Sequence, residues 1–305
     1  MEVVSMEKVY YEVGGHLYSV QGNEGLDVVA LLPSSEPFRF QSTPDAHAPL
    51  LFEMKVDAAA VTVEEGKEIA TFDEGDYHYH VRQSEDGSYH IAMNELMGQA
   101  RCVLKAQADF SRAHVHLTGD MQGRSTMLNC ALMMVYAFAG AGQMTLLMHA
   151  SVVRKSGQGY LCLGVSGTGK STHTRNWLKY VEGTDLMNDD NPVVRVGEDG
   201  VVRVYGSPWS GKTPCYRRVE APVGAFLQLK QAPYNKICRL GVVDAYASLM
   251  PSCSVMKWDR RDYMGTSDTV AKILASVPVF FLENLPDEAA VRMSYEAMTG
   301  EPWKR

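Results

Sequence analysis

Up to about Met121 the chain alternates apolar and polar residues in short runs broken by turn residues. Tyr10–Val13, His16–Val20, Val28–Leu32, Leu50–Val56, Tyr77–Arg82, Tyr89–Met93, Arg101–Ala106 and His114–Leu117 each read as a β-strand. Glu85-Asp86-Gly87-Ser88 falls between two of them as a hairpin turn. The pattern predicts a mainly antiparallel β domain over 1–123. From there the period changes. Leu128, Leu132, Val135 and Phe138 recur at helical spacing, with Ser125 placed to cap the helix and Gly140 to end it.

The segment 124–305 reads as a mixture of strand and helix. Met144–Val153 is a strand carrying His149, and Ser156–Gly159 turns it back into Tyr160–Leu163, so the two should pair antiparallel. His173–Tyr180 is helical, Val196–Val204 is a hairpin around Asp199-Gly200, and Val223–Leu229 is an apolar strand. Helices follow around Asp244–Met250 and Ser267–Ser276, then a strand at Val279–Leu282. Pro286, Asp287 and Glu288 suit the first turn of a last helix.

Composition narrows the class. The 305 residues are 46% hydrophobic and 21% charged, ordinary for a globular protein with a full core. A formal net charge of −7 argues against nucleic acid or an anionic membrane as an electrostatic partner. Six cysteines without Cys-x-x-Cys spacing read as reduced, mostly buried thiols, and the first residues lack a basic start and apolar run. The expectation is a cytoplasmic protein. The apolar stretch Met127–Ala141 reads as a buried helix, too short to span a bilayer. His78/His80 and His114/His116 each place two imidazoles on one strand face, where a metal site is conceivable, but neither pair has a third ligand at a telling spacing, so both read as a solvated or partner-facing strand surface.

The chemistry concentrates in one stretch. Gly164, Val165, Ser166, Gly167, Thr168, Gly169, Lys170, Ser171 and Thr172 match Gly, four residues, Gly-Lys-Ser/Thr without a mismatch, between a strand and a helix. Glycines there let backbone N–H groups turn inward onto phosphate oxygens at a positive helix end. Lys170 can reach the β- and γ-phosphates, and the Ser171 hydroxyl can ligate Mg²⁺. Downstream, Asn188-Asp189-Asp190-Asn191 ends a short strand; vicinal acids there can hold a metal and accept a hydroxyl proton. The loop Tyr205–Thr213 brings Lys212 as a further phosphate contact. Arg217 and Arg218 are either a charge clamp or surface residues.

Together Leu147-Met148-His149-Ala150-Ser151, the loop Gly164–Ser171, Asp189-Asp190, and Pro278-Val279-Phe280-Phe281-Leu282 with Pro286-Asp287-Glu288 resemble the kinase domain of HPr kinase/phosphorylase. More broadly they resemble the HPr-kinase-like and phosphoenolpyruvate-carboxykinase-like phosphate-loop proteins. The resemblance covers about residues 125–300 and leaves out the β region. It implies an α/β core of α+β character with a mixed sheet. It also implies ATP and Mg²⁺ as cofactors, His149 as an electrostatic or acid/base neighbour, Asp189 as proton acceptor and Asp190 as metal contact. The Ser-Pro-Trp-Ser-Gly-Lys wording around Lys212 departs from the protein-kinase form.

The expected activity is an ATP- and Mg²⁺-dependent kinase acting on a hydroxyl, such as a serine of a small protein, a peptide or a free small molecule. Catalysis would use the loop amides, Lys170, Lys212, His149 and Asp189. The alternative from another class is a nucleotide-binding switch or scaffold without catalysis. A carboxykinase ranks lower because the additional basic residues it needs are not evident. Relatives of this kind are often homo-oligomeric.

Overall fold

A computed structural model describes residues 8–303 apart from 24, 46, 62–64 and 212. The chain divides into two units, Met1–Ala139 and Gly140–Arg305, each built on a mixed sheet.

In the first unit β1 (Lys8–Val13) and β2 (His16–Gly22) form a hairpin about Gly14-Gly15. Both glycines have positive φ, 58° and 72°, as a two-residue turn matched to strand twist requires. Next come α1 (Val28–Leu31), β3 (Glu53–Asp57), β4 (Lys67–Glu74), β5 (Tyr77–Gln83), β6 (Tyr89–Glu95), β7 (Arg101–Ala106), β8 (Arg112–Thr118) and α2 (Met121–Gly140). The strands lie in the order β1-β2-β3-β8-β7-β6-β5-β4, with β3 parallel to both neighbours and the other pairs antiparallel.

Three details differ from the sequence reading. Val28–Leu32 is not a strand: the Asp27 carboxylate accepts hydrogen bonds from the amides of Val29 and Ala30, and Pro33 opens a 3-10 turn. The segment β4 has too few apolar residues to signal a strand because it is an edge, paired only with β5 and largely exposed. Helix α2 begins before Ser125, with Asp120 accepting from the Gly123 amide at 2.8 Å, while Ser125 donates to the Leu31 carbonyl. The earlier start lengthens the apolar segment. Met121–Gln143 is the one helix among the described residues long and apolar enough, by length and composition, to cross a membrane, and half of its apolar window is buried. Within the unit it is held as a core helix. Tyr136 donates to the Val13 carbonyl at 2.8 Å and meets Tyr18, and Phe138 meets Phe110.

The second unit contains β9 (Thr145–Leu147), β10 (Ala150–Lys155), β11 (Gln158–Leu163), α3 (Lys170–Tyr180), β12 (Thr184–Asp190), β13 (Val193–Val196) and β14 (Val202–Tyr205). It continues with β15 (Glu220–Gln231), β16 (Lys236–Arg239), α4 (Val242–Leu249), α5 (Arg260–Leu274), β17 (Val279–Asn284) and α6 (Glu288–Thr299). The long β15 joins everything. Its first residues pair with β14, and its remainder runs parallel to both β11 and β17. Alternation along β11 sorts the two faces. Leu161 and Leu163 join Phe226, Leu249, Val270 and Ile273 under α4 and α5. Tyr160 and Cys162 join Trp177, Val291 and Tyr295 under α3 and α6. Both faces of the sheet are therefore covered by the unit's own helices. Each fully buried side chain such as Phe226 contributes about 1.5–3 kcal/mol.

At α6 the cap is Asp287, which accepts from the Ala290 amide at 2.9 Å, so Pro286 precedes the helix instead of opening it. The expected strand Met144–Val153 is two strands, broken at Met148-His149 where the backbone turns to Pro192 and Ser252.

Candidate phosphate-binding and acid-pair site

Strands β10 and β11 pair antiparallel from Ala150–Leu163 to Lys155–Gln158, closed by Ser156-Gly157 at φ 51° and 77°. β10 pairs on its other edge with β12, setting Ala150 opposite Asp190 and Ser151 opposite Asp189. Two registers therefore bring three sequence features to one sheet end: His149 just before β10, the glycine loop just after β11, and the acid pair at the end of β12.

The loop has the backbone that its glycines permit. Gly164, Gly167 and Gly169 lie at φ 149°, 81° and 105°, and Gly169 is the N-cap of α3. Thr168 closes the turn, its hydroxyl donating to the Val165 carbonyl at 2.6 Å. Val165 is exposed and Ser166 and Gly167 line an open cleft of about 510 Å³ with Gln228, Lys230, Gln231 and Phe281. The Lys170 ammonium is buried and donates to the Gly164 carbonyl at 2.9 Å. Burial lowers its pKa, against the charges of Asp190 and Asp189, which raise it. On the next position the Ser171 hydroxyl donates to Asp189 at 2.9 Å. Thr172 faces away along the helix, where its hydroxyl meets Arg175. Below the loop, Ser151 of β10 and Thr174 of α3 meet in a buried 2.9 Å hydrogen bond that fixes the helix against the strand.

The two acids have different neighbours. Asp189 is buried beside Ser171, whereas Asp190 is half-exposed with its carboxylate 3.3 Å from His149 Nε2. Asp190 also has φ 137°, a backbone region costly for any residue but glycine. Its neighbours hold it there. Asn191 donates to its carboxylate at 2.9 Å, and Gly211 packs so closely that a Cβ would stand 3.1 Å from that of Asp190.

The loop after β14 is a buckle on the acid pair's backbone. The Gly211 amide and the Ser210 hydroxyl both donate to the Asp189 carbonyl, at 2.7 and 3.0 Å. Buried Asn188 donates to Ser207 and to the Trp209 carbonyl, and the Ser207 hydroxyl donates to the Asn191 carbonyl. Lys212, the expected phosphate contact in this loop, lies outside the described residues. Arg217 is engaged elsewhere: with Arg154 it bonds Asp185, whose pKa burial pushes up but the two guanidinium groups together bring below its ordinary value.

Sequence reasoning missed the supports. Asn188 and Asn191 stood only as flanks of the acid pair, Ser207 and Ser210 as loop residues, and Gln231 gave no signal. Only the parallel pairing of β11 with β15 brings the Gln231 amide to the Gly167 carbonyl, at 3.1 Å.

The donor set suits a hard divalent cation: a hydroxyl and two carboxylates around one ammonium, an excess of negative charge. Cys162 in β11 is buried with its pKa pushed up to about 12, so it offers no thiolate. No family model matches the chain, and no curated protein matches it either.

Proposed function

We propose that the chain is an ATP- and Mg²⁺-dependent kinase that transfers the γ-phosphoryl group to a hydroxyl, with its site on the HPr-kinase-like pattern of Gly164–Thr172, His149 and Asp189-Asp190. The observation that carries the reading is the division of the two acids, Asp189 on the loop hydroxyl Ser171 and Asp190 on His149. A loop that only bound nucleotide would need the first contact and not the second. Serine of a small protein, a peptide or a free small molecule remains the acceptor class.

In this mechanism the amides of 164–169 and the positive end of α3 hold the β- and γ-phosphates. Lys170 exchanges its Gly164 carbonyl for a phosphate oxygen. Ser171 and Asp189 would hold Mg²⁺, which when bound neutralises charge on the transferring group. Asp190 accepts the acceptor's hydroxyl proton, and His149 beside it stabilises or relays that proton. This exchanges the roles first expected for the two acids, because Asp189 is the one against the metal-side hydroxyl.

The test is ADP release with Mg²⁺ against free serine, serine peptides and a phosphocarrier protein. Acceptor-stimulated turnover in the natural protein, abolished in Lys170→Ala and reduced about 10²–10⁴-fold in Asp190→Asn, is the expected result. Tight ATP binding with no acceptor able to stimulate turnover favours the switch or scaffold instead.

A further inference from the structure

The face of the first unit's sheet that carries alternate residues of β3 and β8 holds a second cluster of donors. Parallel pairing sets Asp57 beside His116 and Lys55 beside His114. The third ligand that the sequence spacing of His114 and His116 lacked therefore comes from a strand distant in the chain. Asp57 Oδ2 lies 2.7 Å from His114 Nε2 and 3.7 Å from His116 Nδ1. One donor atom from each residue lies within 4.8 Å of the others.

We infer that Asp57, His114 and His116 form a binding site for a borderline divalent transition metal of the Zn²⁺ kind. Ligands at the usual 2.0–2.1 Å around a tetrahedral ion stand about 3.3 Å apart, and the two measured separations bracket that value. The ion replaces the hydrogen shared by His114 and Asp57. It also satisfies His116 Nδ1, a buried ring nitrogen without a hydrogen-bond partner. His116 also lines a cleft of about 550 Å³ with His80, Arg82, Asn94 and Arg101. Two imidazoles and a carboxylate are a donor set that prefers such ions to Mg²⁺ or Ca²⁺. The other pair differs. His78 and His80 meet each other at 2.9 Å, and His78 turns its second nitrogen to Asp73, so no three donors converge there.

The site is tested on the full chain by titrating Zn²⁺ in equilibrium dialysis, and Co²⁺ by its visible absorption, with Mg²⁺ in excess to occupy the phosphate-loop acids. The expected result is one ion per chain and a histidine-ligated Co²⁺ spectrum. Affinity should fall at least tenfold in both His114→Ala/His116→Ala and Asp57→Asn, and stay within twofold in His78→Ala/His80→Ala. Asp57→Asn keeps the side chain's volume and its acceptor for His114, so a metal-free melting curve like that of the natural protein separates lost ligation from lost folding. Absence of saturable binding, equal affinity in the natural protein and the His114/His116 variant, or loss in the His78/His80 variant overturns the inference.

Discussion

At Asp262, near the start of α5, a carboxyl is 2% exposed, with Oδ2 accepting from the Met256 amide at 2.6 Å and Oδ1 left without a partner. Burial pushes its pKa up to about 7, the Met256 hydrogen bond opposing and the charge of Asp259 adding to it. A raised carboxyl pKa means that the folded chain keeps its proton while the unfolded chain loses it between about pH 4 and pH 7. Stability from this group is therefore full below pH 4 and falls as pH rises to 7, by on the order of 4 kcal/mol. Asp262→Asn removes that slope. In urea melts the variant should gain on the natural protein from pH 4.5 to pH 8, and a constant difference would refute the assignment. Buried His173, its pKa lowered to about 4 by burial, acts in the opposite sense: its contribution is lost as pH falls from 6.5 to 4. Neither behaviour was legible in the sequence, since both depend on what packs over the side chain. The candidacy of Lys170, Ser171 and the acid pair was legible, because residue types at fixed spacing carry it, and the structure brings Ser171 and Asp189 into contact. At this scale a second prediction concerns Gly211, where a methyl group must displace Asp190 by a few tenths of an ångström. Gly211→Ala should lower kcat at least tenfold while nucleotide affinity stays within a factor of two. Equal losses in both would mean that Gly211 serves the loop and not the carboxylate.

The elements of the second unit were readable wherever one local cue decided them. The Asp199-Gly200 hairpin, the strand at 279–282 and the apolar strand within β15 lie where alternation and turn residues put them. The break between β9 and β10 was hidden because its cause is distant: Met148 and His149 give their amides to the Pro192 and Ser252 carbonyls. Helix α5 also starts well before the expected Ser267. Its first half is polar, and its Asp259 cap carries no apolar period behind it. Within α5, Gly265 illustrates contact overriding propensity. An exposed helical glycine replaced by alanine gains about 1 kcal/mol. Here a Cβ would stand 2.6 Å from the Ala141 carbonyl oxygen, which belongs to the backbone and cannot swing aside. Gly265→Ala should therefore lower the melting temperature despite the better propensity. A rise would show that the α5 contact with 141–143 yields at little cost.

At the scale of the molecule, the described residues of the proposed phosphate-loop site all lie after Gly140. His149, the loop, the acid pair and the buckle at Ser207–Gly211 all lie there, as do the two hydrophobic clusters on either side of the sheet. The division expected at 123/124 followed the change of hydrophobic period, which begins with α2. By contacts α2 goes with the first unit, because Tyr136 and Phe138 meet Val13, Tyr18 and Phe110. A cut at 123/124 would thus leave the first sheet without its helix and append an apolar helix to the second unit, whereas a cut at 139/140 severs neither core. Residues 140–305 alone should then unfold in one cooperative transition and bind ATP with Mg²⁺ within a few-fold of the full chain. Residues 124–305, carrying the exposed apolar helix, should aggregate at concentrations where 140–305 stays monodisperse. Light scattering of the two fragments with an ATP titration distinguishes these outcomes. If 140–305 fails to fold while 124–305 succeeds, α2 is part of the second unit's core after all.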